Sequence, residues 1–196
     1  MTAATVLPVP YVTAYEEESV ALNLTFIGDT WALNGLRLSY TDPTDSDRDR
    51  DVLWARQKTC RAGRVLYDEM HTVRQKECML GRLCQVCQRP ALDPRTERFT
   101  WVFHVEPPAM SGRLSKPPIC RDCLPEAITV CPYLRREAHV YSSAGYGVWG
   151  VKGLVLSPFG REPVWRDVPR DDLHTLEFTL ARALVGYVSE LRRERV

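Results

Sequence analysis

Two pairs of cysteines carry the clearest chemical signal in the sequence. Cys84 and Cys87 form one Cys-x-x-Cys pair, Cys120 and Cys123 form a second, and residues 88–119 separate them. The tight turn within each pair points both sulfurs at one ion, and two such turns supply the four ligands of a tetrahedral zinc. The sequence therefore predicts one structural Zn²⁺ at these four residues, since four sulfurs leave no open position for water. The alternative interpretation is that one or both pairs are redox dithiols or a chance spacing.

Three further cysteines bring the total to an odd number, seven. Cys78 and Cys131 flank the predicted metal site in sequence, and either could replace a ligand if one of the four cysteines is displaced. The favoured interpretation is that both are small buried hydrophobic residues, because free cysteine is among the most buried residue types. Cys60 has no partner at a meaningful spacing, and the sequence assigns it no role.

The candidates for catalysis are two histidines, His104 and His71. His104 lies in an aromatic segment that is typical of a strand, and His71 lies in the predicted helical segment before the first cysteine pair. An isolated histidine is more often a hydrogen-bonded structural residue than a catalyst, although imidazole can act as a general base near neutral pH. Nucleophilic Cys–His chemistry also stays open, because Cys78 or Cys131 could meet either histidine in space.

Composition narrows the class of protein. The formal net charge is only +1, whereas a dedicated nucleic-acid-binding protein usually has a basic face and a high pI. No stretch reaches the roughly 18 to 20 apolar residues of a membrane helix. Residues 1–10 lack the basic start of a secretory signal, so the seven cysteines predict a reducing, cytoplasmic environment.

Hydrophobic periodicity predicts the elements that hold these residues. Alternating apolar side chains predict strands over 11–26 and 36–40 that form a small antiparallel N-terminal sheet. Helical spacing predicts a helix over 65–80 that ends at Gly81 and leads into the first cysteine pair. Between the pairs, residues 99–105 are typical of a strand in a β-hairpin, and a short helix is predicted over 125–129.

The last third of the chain predicts a strand pair and a helix. Residues 140–155 are rich in glycine and aromatic residues, which favours two twisted strands joined by a tight turn. Residues 158–169 are predicted to be a loop, and apolar residues at helical spacing predict a C-terminal helix over 173–193. The predicted fold class is α+β, with regions 1–62, 63–139 and 140–196 inside one compact domain.

Three segments carry a family resemblance: LCQVC (83–87), FHVEPP (103–108) and ICRDC (119–123). In this order, with a helix before the first and after the last, residues 79–124 resemble the treble-clef zinc scaffold of HNH endonucleases. The resemblance implies that His104 stands where that family has its general base. Phe103 replaces the family's aspartate, and Leu124 stands where a metal-binding His or Asn is usual. The resemblance therefore implies the scaffold and not the catalytic metal.

The whole chain also resembles actinobacterial zinc-knuckle proteins with the pattern LCQVC, PPICRDC and CPYLR. That resemblance implies no activity.

Two functions follow as hypotheses. The first is a non-catalytic, zinc-stabilised binding protein that contacts another protein or, less favoured by its net charge, nucleic acid. The second is an enzyme: a divergent HNH-like nuclease using His104, or a small modifying or biosynthetic enzyme that uses His104 or His71. Its pocket would lie between the N-terminal sheet and the zinc region. The sequence leaves the partner, the substrate and the oligomeric state open.

Overall fold

The computed structural model describes residues 9–106 and 112–195, and its mixed architecture of strands and short helices confirms the α+β fold class. Residues 1–8, 107–111 and 196 lie outside the described residues. They include most of the N-terminal stretch behind the cytoplasmic prediction, and Pro107 and Pro108 of the FHVEPP segment.

The elements follow one another in a simple order along the chain. Within the described residues the α-helices are α1 (Thr72–Gly81), α2 (Leu124–Val130) and α3 (Leu173–Leu176), and a 3₁₀ turn covers Asp45–Asp47. The strands are β1 (Thr13–Tyr15), β2 (Leu24–Gly28), β3 (Leu36–Tyr40), β4 (Arg48–Asp49), β5 (Val52–Trp54), β6 (Val65–Met70), β7 (Leu92–Asp93), β8 (Arg98–Phe103), β9 (Arg113–Leu114), β10 (His139–Ser143), β11 (Gly145–Val155), β12 (Val164–Pro169), β13 (Thr179–Ser189) and β14 (Arg192–Arg193).

The largest sheet is built around β13. Its strand order is β12-β11-β13-β5-β4, and β9 also pairs with β13. β13 runs antiparallel to β11 and parallel to β5. A second sheet has the order β14-β10-β8-β7, and two further pairs are β1 with β6 and β2 with β3. The large sheet combines strands from all three regions predicted from the sequence, and the division into those regions stays a prediction.

The predicted C-terminal helix over 173–193 is wrong. Only the single helical turn α3 forms, and the chain then continues as the long strand β13. Nine of the eleven residues of β13 are at least half-buried, because neighbours on both sides and both faces cover a central strand. The sequence of such a strand is a nearly continuous apolar run. Because the run also has apolar residues at helical spacing, it was predicted as a helix.

Four other predictions are wrong in part. The predicted helix over 65–80 is divided: its first six residues form β6, which pairs with β1, and only the remainder enters α1. Residues 140–155 do form two strands, but β10 pairs with β8 while β11 pairs with β12 and β13. The predicted loop over 158–169 contains β12, and the predicted strand over 11–26 is two separate strands.

The N-terminal hairpin and the elements around the cysteines are confirmed. β2 and β3 pair antiparallel in a small sheet, and β7 and β8 make the predicted hairpin between the two cysteine pairs. α2 begins directly after the second pair. One hydrophobic cluster surrounds this region, and its fully buried members include Cys84, Ile119 and Trp101.

Candidate metal centre and an adjoining cavity

The four predicted metal ligands come together in the folded chain. One sulfur from each of Cys84, Cys87, Cys120 and Cys123 lies within 4.8 Å of every other, and we call these residues the four-cysteine cluster. The Sγ atoms of Cys87 and Cys120 are 3.8 Å apart. A tetrahedral ion with Zn–S bonds of about 2.3 Å separates its sulfurs by about 3.8 Å. The cluster could therefore hold one metal ion, and its dimensions fit zinc.

Short turns fix both cysteine pairs. In the first, the amide of Val86 donates to Sγ of Cys84 at 3.4 Å, and the amide of Gln88 donates to the Cys84 carbonyl at 3.0 Å. Gln88 adopts a positive φ of 60°, which closes the turn. In the second, the amide of Cys123 donates to the Cys120 carbonyl at 3.1 Å. Backbone amides that donate to a ligand sulfur orient it and stabilise its charge.

The thiols need a cation to ionise together. Burial raises the pKa of Cys84 to about 11 and also raises the pKa of Cys123. Burial alone would raise the pKa of Cys87 too, but hydrogen bonds from the Arg89 side chain and other neighbours outweigh it and lower that pKa to about 7. A divalent cation favours the thiolate at all four positions, which is why metal binding releases protons.

The remaining cysteines differ in exposure. Cys78 is fully buried, and its Sγ lies 3.7 Å from the Cys84 carbonyl oxygen, in agreement with the favoured interpretation of a small buried hydrophobic residue. Cys131 is half-buried, whereas Cys60 is exposed. Neither Cys78 nor Cys131 belongs to the cluster found among residues 9–106 and 112–195.

His71 has a structural place in the fold. It has no exposed surface, and it is the N-cap of α1, where its Nδ1 accepts from the Arg74 amide at 3.4 Å. Its Nε2 lies 2.8 Å from the Lys58 carbonyl, so Nε2 carries the proton and the ring is neutral. Burial lowers the pKa of His71 and favours that neutral form.

His104 borders a cavity of about 410 Å³ next to the four-cysteine cluster. The cavity lies between residues 10–13, β6, the first cysteine pair, β8, the segment around Lys116, and α2 with the residues that follow it. The enzyme hypothesis placed its pocket between the N-terminal sheet and the zinc region, and β2 and β3 contribute no residue to this cavity. Most of its wall is apolar and includes Val12, Met70, Val86, Val102, Ile119 and Ala127.

Two basic residues, His104 and Lys116, line this cavity. The ring of His104 lies 5.5 Å from the ring of Tyr133, and burial and the charge of Lys116 lower the pKa of His104. Burial also lowers the pKa of the Lys116 amine. The backbone of Lys116 is held in place by Trp101, whose Nε1 donates to the Lys116 carbonyl at 3.1 Å.

The metal centre and the cavity share a wall. Val86 and Gln85, which lie between two ligands, accept amide hydrogen bonds from Tyr11 and Val12, each at 3.2 Å. The sequence reasoning missed Lys116 and the cavity, since their parts come from distant segments. No local spacing could have indicated them.

The chain was compared with protein-family models, curated proteins and solved structures, and it matches none of them. Those comparisons identify no HNH family and no actinobacterial relative. No helix in the described ranges has both the length and the apolar character needed to cross a membrane.

Proposed function

We propose that this protein is a zinc-stabilised binding protein, with one Zn²⁺ held by the four-cysteine cluster. The observation that carries the proposal is the convergence of four sulfurs within 4.8 Å of one another. Four sulfur ligands complete a tetrahedral site, so the ion would hold the fold together and would not activate water. The order of cysteine pair, hairpin, cysteine pair and helix supports a treble-clef arrangement of the kind that HNH endonucleases use as a scaffold.

We propose a protein as the partner, in preference to nucleic acid. Trp31 is 93% exposed at the tip of the β2–β3 hairpin, and Trp165 is 54% exposed on the edge strand β12. Exposed tryptophans are enriched at protein interfaces. Nucleic acid is less favoured because several arginines already pair with carboxylates, for example Arg56 with Asp47 at 2.6 Å and Arg121 with Asp93 at 2.8 Å.

The zinc proposal is tested by metal analysis of protein purified without a chelator. We expect one zinc per chain, lost together with the folded state in Cys84→Ser and Cys120→Ser. Cys60→Ser is the matched control, because Cys60 is exposed and outside the cluster, and it should keep both zinc and fold. Two metals per chain, or zinc lost without unfolding, would contradict a structural site.

The choice of partner is tested with the zinc-loaded chain. A protein partner captured by the wild type should be lost by a Trp31→Ala/Trp165→Ala variant that retains its zinc. Binding to DNA or RNA that weakens steeply with salt would favour nucleic acid instead. We place the protein in the cytoplasm, where a reducing environment preserves zinc thiolates.

A second candidate function is an enzyme whose site is the cavity, and the position of His104 favours it. A neutral imidazole beside an apolar cavity can accept a proton near neutral pH, which is what a general base requires. Divalent-metal-dependent DNA cleavage that His104→Ala abolishes would support the nuclease version. Turnover of a small molecule that His104→Ala abolishes while binding persists would support a modifying or biosynthetic enzyme.

A further inference from the structure

The cavity has the character of a small-molecule site. Its volume of about 410 Å³ falls within the range of ligand pockets, which are mostly apolar and contain a few polar groups. The residues that line it come from six separate segments of the chain. The amides of Tyr11 and Val12 hold the N-terminal segment against the first cysteine pair.

The one lysine that lines this cavity forms no ion pair within residues 9–106 and 112–195. Among the described residues, no carboxylate forms an ion pair with the Lys116 ammonium, whereas Lys76 pairs with Asp49 at 2.8 Å. Residues 1–8, 107–111 and 196, which lie outside the described ranges, include no Asp or Glu. Asp68, Glu69 and Glu126 also line the cavity, but all three are exposed. None of them is among the groups that act on the pKa of Lys116, where burial lowers it and the Cys131 thiol opposes that effect.

A half-buried cation without a counterion is unfavourable, and a bound anion relieves that cost. A single ammonium beside a neutral imidazole matches one negative charge. A phosphate dianion is typically held by several cationic or amide donors, and the lining contains neither an arginine nor a second lysine. Because most of the cavity wall is apolar, the rest of the ligand is expected to be apolar as well.

We propose that the cavity binds a small, mainly apolar carboxylic acid, with the ligand carboxylate paired to the Lys116 ammonium and its apolar body against Val102 and Ile119. The inference takes the cavity as the working site, as the second candidate function does, and it requires no reaction there. It does not depend on which protein the exposed tryptophans contact.

The test compares an acid with its amide on the zinc-loaded full chain. Octanoate and octanamide have the same apolar body, and calorimetry measures the affinity of each. We expect octanoate to bind about ten- to a hundredfold more tightly, the range for a charge-assisted hydrogen bond. Lys116→Met and Lys116→Gln should both remove the preference for the acid, and Lys116→Arg should retain much of it.

Two control variants distinguish the effect of the Lys116 charge from a change in the cavity, and folding is checked separately. Lys152→Met changes an exposed lysine on β11 and should leave both affinities unchanged. Val130→Phe fills part of the cavity and should weaken the acid and the amide together. Zinc content and thermal midpoint are measured on each preparation, so a variant that fails to fold is recognised.

Each outcome decides the proposal. Equal binding of acid and amide, or an acid preference that survives in both Lys116→Met and Lys116→Gln, overturns the role of Lys116. No binding of either probe at millimolar concentrations overturns the ligand class. A chain that holds zinc but binds neither probe leaves the zinc proposal intact. Octanoate binding by zinc-free protein would show that the fold persists without the ion, which contradicts the structural role of zinc and leaves the proposed ligand site standing.

Discussion

The buried ion pair between Glu18 and Arg74 gives the sharpest stability prediction. The Glu18 side chain has no exposed surface and the Arg74 side chain is 5% exposed. Besides the Arg74 guanidinium, the Glu18 carboxylate accepts from the amides of Tyr15 at 2.9 Å and Arg61 at 3.0 Å. Arg74 also donates to the Thr13 carbonyl at 2.8 Å, so the pair ties the β1 segment to α1.

The magnitude follows from what Glu18→Gln leaves behind. The substitution keeps the size of the side chain but leaves the Arg74 charge buried without a counterion, which costs about 3–5 kcal/mol. For a chain of this length, each kcal/mol lowers the melting temperature by about 2–4 °C, so the predicted fall is about 6–20 °C. The neighbouring exposed Glu17→Gln is the matched control and should change stability by less than about 0.5 kcal/mol.

The assay is a double-mutant cycle by urea unfolding of zinc-loaded protein. Arg74→Met should also destabilise, and the Glu18→Gln/Arg74→Met double variant should lose less than the sum of the single losses, by about 0.5–3 kcal/mol. Strictly additive losses, or a loss in Glu18→Gln no larger than that of Glu17→Gln, would refute the reasoning.

The same pair predicts a pH dependence with a definite sign. Burial alone would raise the pKa of Glu18, but hydrogen bonds from Arg74, Arg61 and Tyr15 outweigh it and hold the pKa below its ordinary value of 4.5. A depressed pKa contributes stability above pH 4.5, and that contribution is lost as the pH falls through the folded-state pKa. The stability difference between wild type and Glu18→Gln should therefore shrink below pH 4.5. A difference that stays constant or grows on acidification would show that the pair does not act in this way.

Two further predictions concern glycines and thiols. A Cβ at Gly150 would lie 2.1 Å from the Val168 carbonyl oxygen, so Gly150→Ala should separate β11 from β12 and lower the melting temperature. A Cβ at Gly147 would have no atom within 4 Å, so the control Gly147→Ala should change the melting temperature little. Equal changes in the two variants would contradict this packing. In zinc-loaded protein, thiol labelling should modify Cys60 quickly, half-buried Cys131 more slowly and buried Cys78 only on unfolding. Removal of zinc by a chelator should make four more thiols reactive. Labelling of Cys78 before unfolding would contradict its burial in the folded chain.

The sequence predicted the metal cluster because its chemistry is local. Each Cys-x-x-Cys turn positions two sulfurs whatever the rest of the chain does, so Cys84, Cys87, Cys120 and Cys123 could be paired by spacing alone. β13 was misread for a physical reason. Buried on both sides, it lacks the alternation that marks a strand, and Leu180, Leu184 and Val188 fall at helical spacing. Its Thr, Val and Tyr content was the weaker signal for a strand.

The cavity could not be read from the sequence at all. Its residues are brought together by long-range contacts, such as the amide of Val12 donating to the Gln85 carbonyl. Lys116 has no partner at a local spacing, and what distinguishes it is the missing counterion, which only the folded chain reveals.

The position of β13 has a consequence for how the protein is made. A ribosome extends the chain from its N-terminus, so β4, β5, β11 and β12 are all synthesised before the strand that lies between them. Until residues 179–189 emerge, β11 and β5 each expose an unpaired edge, and such edges promote aggregation. A nascent chain that ended before Thr179 would lack the central strand of this sheet, and not an edge strand. We therefore expect the nascent chain to be most exposed to wrong strand pairing late in translation, when most of its strands have already been synthesised.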